Sequence, residues 1–266
     1  MDNKHLHFLR SVFIFLAVLF IHFPVFAQDT LTVMSYNIHH AAGMDGVVNV
    51  NRIAKIIQQA APDVVALQEV DSCAERSYRT DQPAALGDLT GLQYTFGKNL
   101  NFQGGGYGNA VLYQDSTAHW RNLWLPIVND GEQRGVLYAE LNIGQSPVLF
   151  LATHFDHREN DTERLASVAA MDSLMTSLGI QRVILVGDLN DTPGSPTITA
   201  IQKNLGLQMS NAATADSIAY TFPADDPVRT IDYIFLSPGI KVLSFQVLEE
   251  PTASDHRPVA AKIVLP

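Results

Sequence analysis

The feature that most constrains the fold is a series of short apolar segments that alternate with helical patterns. Leu31–Ile38, Val64–Gln68 and Val183–Val186 are apolar at most positions, as in strands that are buried on both faces. Apolar residues at helical spacing predict helices over Asn49–Ala60 and Asp161–Leu178. Further strands are predicted over Ala110–Tyr113, Val136–Leu141, Pro147–Thr153, Thr230–Leu236 and Val259–Val264. Such strands need helices on one side and a second sheet on the other, so we predict an α/β domain of layered sheets.

The start of the chain has the pattern of a secretory signal peptide. Lys4 and Arg10 supply a basic region, Ser11–Phe23 forms an apolar stretch, and small residues fit a cleavage site. The apolar stretch is shorter than the roughly 20 residues that a membrane span requires, which argues against an uncleaved anchor. We therefore expect residues 1–27 to be removed and residues 28–266 to form a single domain, exported to the periplasm or the extracellular space.

The charge balance restricts the class of partner. The chain has 17 Lys+Arg against 27 Asp+Glu, a formal net charge of −10. An acidic chain gains no general attraction to phosphate backbones, which argues against a module that grips nucleic acid through bulk charge. An enzyme that recruits cations to handle phosphate is compatible with this balance. Cys73 is the only cysteine, so no internal disulfide can form.

Most of the predicted strands end in a carboxylate, an amide or a histidine. Loops at strand ends are where a rigid scaffold presents chemistry, and the needs of turns explain only one or two such positions. We therefore predict that these residues form one site. The polar strand-end residues are Asn37, Glu69, His154, Asp156, Asp188, Asn190, Asp232, Asp255 and His256.

Two short motifs suggest a division of tasks. Asp188 and Asn190 are two residues apart, so in an extended segment both side chains project to the same side, although a turn is an equally open interpretation. A carboxylate beside an amide suits the activation of water and the binding of a phosphate oxygen. Asp255 and His256 are adjacent and point different ways, so the histidine needs another carboxylate to orient it. Asp232 is the best candidate.

The position of Glu69 predicts a metal ion. Glu69 follows the largely apolar strand Val64–Gln68, a costly place for a charge that does not meet a cation. Hard divalent ions take oxygen ligands, and Glu69, Asp255 and Asn37 form such a set. We predict Mg²⁺, with Mn²⁺ as a substitute. Zinc is less favoured, because the sequence has no His-x-x-x-His pair and a single cysteine.

The motifs MSYNI, LQEV, YGNAVL, THFD, GDLND, TIDYIFLS and SDHRPV follow one another in this order. The series resembles the endonuclease/exonuclease/phosphatase superfamily, whose members include deoxyribonuclease I, apurinic endonucleases, neutral sphingomyelinases and inositol polyphosphate 5-phosphatases. The resemblance covers about residues 31–266. It implies a four-layered α/β sandwich, in which two mixed β-sheets pack face to face between helices. It also implies divalent-metal-dependent hydrolysis of a phosphate ester by in-line attack of water.

The resemblance assigns roles to the metal and water side of the site. Glu69 would bind the metal ion, with Asn37 and Asp255 near it. Asp188 would orient or deprotonate the attacking water. Asn190 would hold a phosphate oxygen.

It assigns roles to the substrate side as well. His256, oriented by Asp232, would contact the phosphate, and His154 would assist the leaving group. Arg134 matches a basic residue that often faces the substrate phosphate, with a surface arginine as the alternative. Independently of the resemblance, Asn109 in the segment GGGYGNA is expected to approach the site and contact the substrate.

Within this class we predict a phosphodiesterase that acts on a small molecule, a lipid headgroup or a nucleic acid. The acidic charge disfavours duplex DNA, although a nuclease stays an alternative, and no protein partner is indicated. A catalytically silent binding protein is the alternative from another class. It should have lost a catalytic residue, whereas the chain retains Glu69, Asp188, Asn190, Asp232 and His256.

Three further segments are expected to be loops. A solvent-exposed pair is the favoured interpretation of His39 and His40, with a cleft-lining or metal-binding role as the alternative. The polar residues from Asp71 to Asp81 are expected to form a solvated loop, with substrate contact as the alternative. Gly104–Gly106 is typical of a flexible loop that leads into a strand.

Overall fold

A computed structural model describes residues 30–114, 118–143, 146–213 and 219–266. The signal peptide predicted over residues 1–27 lies outside these residues. The strands are β1 (Thr30–Asn37), β2 (Val64–Ser72), β3 (Gln93–Phe102), β4 (Gly105–Tyr113), β5 (Arg121–Trp124), β6 (Gly135–Ile143), β7 (Ser146–His154), β8 (Val183–Asp188), β9 (Gln208–Met209), β10 (Asp232–Leu236), β11 (Lys241–Val247) and β12 (Val259–Val264). The α-helices are α1 (Val50–Ala60), α2 (Gln82–Thr90), α3 (Thr162–Leu178) and α4 (Pro196–Asn204). Within this part of the chain, no helix is long and apolar enough to cross a membrane.

The strands form two mixed six-stranded sheets. The first has the order β11-β12-β1-β2-β4-β3 and the second the order β5-β6-β7-β8-β10-β9. Each sheet contains a parallel pair, β1 with β2 and β7 with β8, whereas the other neighbours are antiparallel. This arrangement confirms the predicted four-layered α/β sandwich.

Both faces of each sheet are covered, which explains why the strands are so apolar. Between the sheets, Val33 of the first packs in one cluster with Phe150 and Val186 of the second. On the outer faces, Ile53 of α1 belongs to a cluster with the first sheet, and Val168 of α3 to a cluster with the second. Burial of apolar surface on both faces stabilises the strands and fixes which strand ends meet.

The prediction of a flexible loop at Gly104–Gly106 is wrong, because β4 begins at Gly105 and runs between β2 and β3. A Cβ atom at Gly105 would lie 2.4 Å from the carbonyl oxygen of Ser72. At Gly108 it would lie 2.0 Å from the carbonyl oxygen of Gly97. These glycines therefore allow β4 to approach β2 and β3 closely.

Candidate active site

The polar strand ends of the second sheet lie side by side. His154 is the last residue of β7, Asp188 the last of β8, and Asp232 the first of the antiparallel β10. In the register of the sheet, Asp188 lies opposite both His154 and Asp232. Asn37, at the end of β1 in the first sheet, donates through Nδ2 to Asp188 Oδ2 at 3.0 Å. The site therefore lies where the carboxyl ends of both parallel strand pairs meet.

Glu69 reaches this edge by a β-bulge. The strand does not end before Glu69, as the sequence predicts, but continues to Ser72 with an irregular register between Leu67 and Val70. Glu69 has a φ of 56°, and such a bulge re-aims a side chain. Its Oε1 accepts a hydrogen bond from Asn37 Nδ2 at 3.0 Å. The backbone N–H of His39 donates to Asn37 Oδ1 at 3.0 Å, so the amide nitrogen must face the two carboxylates.

His256 lies between two buried carboxylates. Its Nδ1 is 2.9 Å from Asp232 Oδ2, and its Nε2 is 3.7 Å from Asp188 Oδ2. Burial alone would lower the pKa of His256, but the charges of Asp232 and Asp188 and the hydrogen bond to Asp232 raise it to about 10. The imidazole is therefore protonated near neutral pH.

The pKa of Asp188 is also raised, well above the usual range of an aspartate. Burial raises the pKa of the Asp188 carboxyl to about 7, and the charge of Asp232 acts in the same direction. The charge of His256 and the hydrogen bond from Asn37 favour the ionised form but do not cancel the effect of burial. A carboxyl group with such a pKa can exchange a proton near neutral pH.

His154 is the neutral counterpart of His256. Arg134 Nη1 lies 2.9 Å from His154 Nδ1, and since arginine can only donate, Nδ1 accepts and Nε2 carries the proton. Burial, followed by the charge of Arg134, holds the pKa of His154 well below its usual range. Nε2 lies 3.4 Å from Asp188 Oδ2, so this ring presents an N–H to the site.

Asn190 reaches the same point through a turn rather than through an extended segment. Its φ is 51°, a left-handed conformation that asparagine tolerates, and its backbone N–H donates to Asp188 Oδ1 at 2.9 Å. The side-chain Nδ2 donates to the carbonyl oxygen of Phe155 at 3.1 Å. Its second N–H and the Nε2–H of His154, with the two nitrogens 3.0 Å apart, are both donors and therefore need an acceptor outside this pair. The assumption of extended geometry is wrong, yet Asp188 and Asn190 both contact His154.

Arg134 and Asn109 line the wall behind His154. Arg134 is only 6% exposed and also pairs with Glu132 at 3.1 Å, so the alternative of a surface arginine is wrong. Asn109 is buried, and its Nδ2 donates to the carbonyl oxygen of Gly135 at 3.0 Å. Asn109 therefore links β4 of the first sheet to the start of β6, next to Arg134.

Asp255 lies at the rim of the site. Its side chain is half-buried, and Oδ1 accepts a hydrogen bond from Ser254 Oγ at 3.3 Å. The same oxygen is 3.9 Å from His39 Nδ1. Asp255 therefore lies towards the turn that follows β1, away from Asp232, the carboxylate that pairs with His256.

Two of the segments expected to be solvated loops are partly buried, although Glu75, Arg79 and Asp81 are exposed as predicted. His39 and His40 are half-buried, and the three side chains His39, His40 and Glu69 place potential ligand atoms within 4.8 Å of one another. Asp71 is fully buried and accepts two hydrogen bonds from Arg76, at 2.8 and 2.9 Å. For His39, His40 and Asp71 the favoured interpretation of exposure is wrong, because the bulge and the ion pair that orient them leave no periodic signal in the sequence.

The aromatic wall beside Arg76 was also missed. The Arg76 guanidinium lies over the rings of Phe102 and Tyr107, at 4.5 and 5.4 Å from their centroids. Burial raises the pKa of Tyr107, and the charge of Glu69 adds to this effect. The wall therefore borders the Glu69 side of the site.

Comparison with known proteins agrees with this architecture. The model of the Endonuclease/Exonuclease/phosphatase family matches residues 34–256. Uncharacterized protein YbhP of Escherichia coli (strain K12) is 26% identical over 263 residues, which covers 90% of this chain and 98% of YbhP.

Solved structures share the fold. An endonuclease/exonuclease/phosphatase family protein from Bacteroides thetaiotaomicron has a TM-score of 0.75 at 22% identity, covering 90% of this chain and 99% of its own. A mannosyl-6-phosphatase from Bacteroides thetaiotaomicron VPI-5482 has a TM-score of 0.73 at 22% identity, covering 88% of this chain and 100% of its own. With the family model matched over most of its length, this chain belongs to the endonuclease/exonuclease/phosphatase family.

Proposed function

We propose that the protein is an exported, Mg²⁺-dependent phosphodiesterase that cleaves a phosphate ester by in-line attack of water. The observation that carries this proposal is the environment of Asp188, a buried carboxyl group between a neutral and a protonated histidine. Pairs of groups whose environments push their pKa values apart are typical of acid and base roles. Export, with residues 28–266 as one domain, rests on the leader pattern of residues 1–27.

The residues around Asp188 supply the elements of phosphoryl transfer to water. Asp188 takes the proton of the attacking water, a task that suits a pKa near 7. Asn190 and the Nε2–H of His154 donate to phosphate and leaving-group oxygens. His256 supplies a protonated imidazole, and a charge-assisted hydrogen bond to phosphate is stronger than a neutral one. Asp232 keeps that imidazole protonated and oriented.

Carboxylate groups near Asn37 suit a hard divalent ion. Glu69 and Asp255 offer carboxylate oxygens, which Mg²⁺ prefers, and Mn²⁺ shares this preference. Asn37 holds Glu69 and Asp188 in place through the hydrogen bonds of its amide nitrogen. When bound, such an ion polarises a phosphoryl oxygen and stabilises negative charge on the leaving oxygen.

A phosphomonoesterase is the second candidate. One of the proteins with this fold is a mannosyl-6-phosphatase, and the positive charge of the buried Arg134, partly balanced by Glu132 at 3.1 Å, suits the dianion of a monoester. Diesters are favoured here because the net charge of −10 opposes more highly charged substrates.

Substrate and metal dependence can be tested together. The purified protein would be assayed with bis-p-nitrophenyl phosphate, p-nitrophenyl phosphate, plasmid DNA, sphingomyelin and an inositol phosphate, in Mg²⁺, Mn²⁺ or EDTA. We expect turnover of the synthetic diester in Mg²⁺ and Mn²⁺ and none in EDTA. Faster turnover of the monoester or of DNA would favour the phosphatase or the nuclease. Absence of turnover on every substrate would contradict the proposal and favour a silent binding protein.

The pH dependence of kcat/KM provides a further prediction. Asp188 acts ionised, so kcat/KM should fall as the pH drops through about 7, and His256 acts protonated, so it should fall as the pH rises through about 10. The charge of Asp232 raises both pKa values, so Asp232→Asn should move both limbs to lower pH. A neighbouring charge typically shifts a pKa by about 1–3 units.

The matched control for this experiment is Asp172→Asn, which removes an exposed carboxylate from α3. Its pH profile should coincide with that of the wild type. An unchanged profile in Asp232→Asn, measured for a folded protein, would show that Asp232 does not set the protonation of the site.

A further inference from the structure

The guanidinium group of Arg134 lies behind the ring of His154, on the side away from Asp188. Arg134 Nη1 is 2.9 Å from His154 Nδ1, whereas the other ring nitrogen, Nε2, is 3.4 Å from Asp188 Oδ2. Glu132 Oε1 lies 3.1 Å from the same Nη1 and helps to hold the buried guanidinium group in place. The imidazole ring therefore stands between Arg134 Nη1 and Asp188.

The partner of Nδ1 differs between the two histidines of the site. A guanidinium group only donates hydrogen bonds, so Nδ1 of His154 must accept, and the proton of the neutral ring must lie on Nε2. His256 has the opposite arrangement, because its Nδ1 lies 2.9 Å from the carboxylate oxygen Oδ2 of Asp232. A carboxylate at Nδ1 stabilises a charged imidazole, whereas an arginine at Nδ1 stabilises a neutral one with its proton on the far nitrogen.

Asn190 presents a second donor to the same point. Its Nδ2 donates to the carbonyl oxygen of Phe155 at 3.1 Å, which places the nitrogen and not the oxygen of the amide on this side. That nitrogen lies 3.0 Å from His154 Nε2. Two N–H groups cannot bond each other, so both stay available to an acceptor. An oxygen atom that accepts from both groups would satisfy them, as an oxyanion does between two donors.

The other tautomer of His154 would remove this pair of donors. With the proton on Nδ1, the lone pair of Nε2 could accept the second N–H of Asn190 at the observed 3.0 Å. The two side chains would then satisfy each other, and neither would offer a donor to a substrate oxygen. Because a buried donor without an acceptor is costly, a ring that is free to choose would adopt this closed state. Arg134 prevents it, since its Nη1 cannot accept a hydrogen bond from Nδ1.

We propose that Arg134 is a positioning residue that locks His154 in the Nε2–H tautomer, so that His154 and Asn190 offer two donors to one substrate oxygen. The tautomer is a property of the free protein, whereas the substrate oxygen rests on the proposed function. Loss of one donor of this kind lowers kcat by about 10²–10³-fold. Arg134→Met, which has no donor, should therefore lower kcat and kcat/KM equally by about this factor, as expected for an interaction made in the transition state.

Nuclear magnetic resonance of the protein with ¹⁵N-labelled histidine rings tests the tautomer without any activity. Couplings between the ring nitrogens and the carbon-bound ring protons identify the protonated nitrogen, and the signals of His154 are those missing from His154→Gln. Near neutral pH we expect Nε2 to carry the proton in the wild type, and Nδ1 to become protonated in Arg134→Met. Arg134→Lys keeps the buried charge and a group that donates, so it should keep the wild-type tautomer and recover most of kcat.

Arg121→Met is the matched control, because Arg121 is exposed on β5 of the sheet that carries His154. It should change neither the tautomer nor kcat, and unfolding midpoints would establish that each variant folds. A proton on Nδ1 in the wild type, or an unchanged tautomer in folded Arg134→Met, would overturn the proposal. Hydrolysis with an unchanged tautomer would overturn the positioning role alone. The expected change of tautomer in a protein that hydrolyses no phosphate ester would overturn the proposed function alone.

Discussion

Asp188→Asn is expected to lower kcat for the synthetic diester by about 10²–10⁴-fold, the usual contribution of a general base. The amide has the shape of the carboxyl group but cannot take a proton from water. It can still accept the hydrogen bond that the backbone N–H of Asn190 gives to Asp188 Oδ1. The variant should fold with a lowered unfolding midpoint, because its amide nitrogen meets Asn37 Nδ2 where Asp188 Oδ2 accepts a hydrogen bond, and its kinetic loss should lie in the chemical step rather than in substrate binding. Steady-state kinetics and thermal unfolding separate these effects.

The matched control for Asp188→Asn is again Asp172→Asn, which changes a carboxylate outside the site. This control should keep kcat within about twofold of the wild type, as expected for a surface substitution. Retention of more than a tenth of the wild-type kcat by Asp188→Asn would remove the base from the mechanism.

At a Mg²⁺ concentration that just saturates the wild type, Glu69→Gln is expected to lower kcat/KM by about 10²–10³-fold, since a metal ion contributes several kcal/mol and each 1.36 kcal/mol is tenfold. Glutamine can still accept the hydrogen bond that Asn37 gives to Oε1, so the bulge in β2 should persist. What the variant lacks is the charge that attracts the cation. The Mg²⁺ concentration for half-maximal activity should rise, which a metal titration of the rate measures.

Glu140→Gln is the matched control, because Glu140 is exposed on β6. Its Mg²⁺ titration should coincide with that of the wild type. If Glu69→Gln has the same Mg²⁺ dependence as the control, Glu69 does not hold the ion.

The parts of the fold that the sequence predicted well are those with strong apolar patterns or clear caps. The predicted strand Leu31–Ile38 agrees with β1 to within one residue at each end, because a strand that is buried between two layers has a strong apolar pattern. Helix α1 follows Asn49, whose side chain accepts a hydrogen bond from the N–H of Arg52 and so caps the helix.

The elements that were missed carry weaker signals. β3 and β11 are edge strands with several exposed residues, such as Tyr94 and Leu243, so their apolar pattern is broken. α2 is nine residues long with Pro83 in its first turn, and Asp81 forms no side-chain cap. α4 did have readable signals, since Ser195 caps it and Pro196 opens it, but its short apolar face did not stand out.

The candidate site likewise contains residues whose positions could be predicted from the sequence and residues whose positions could not. Residues at the ends of buried strands, such as Asp188 and His154, could be predicted to meet because parallel strands bring their carboxyl ends to one edge. The positions of His40 and Arg76 could not be predicted. They depend on a left-handed turn, a bulge and a buried ion pair, which are tertiary features without a sequence period.

The most direct test of metal-dependent attack of water on phosphorus is hydrolysis of bis-p-nitrophenyl phosphate in ¹⁸O-labelled water with Mg²⁺. If Asp188 activates water for attack on phosphorus, the label should appear in the p-nitrophenyl phosphate product and not in p-nitrophenol, and EDTA should abolish its incorporation. Label in p-nitrophenol, or no product in the presence of Mg²⁺ or Mn²⁺, would contradict the account.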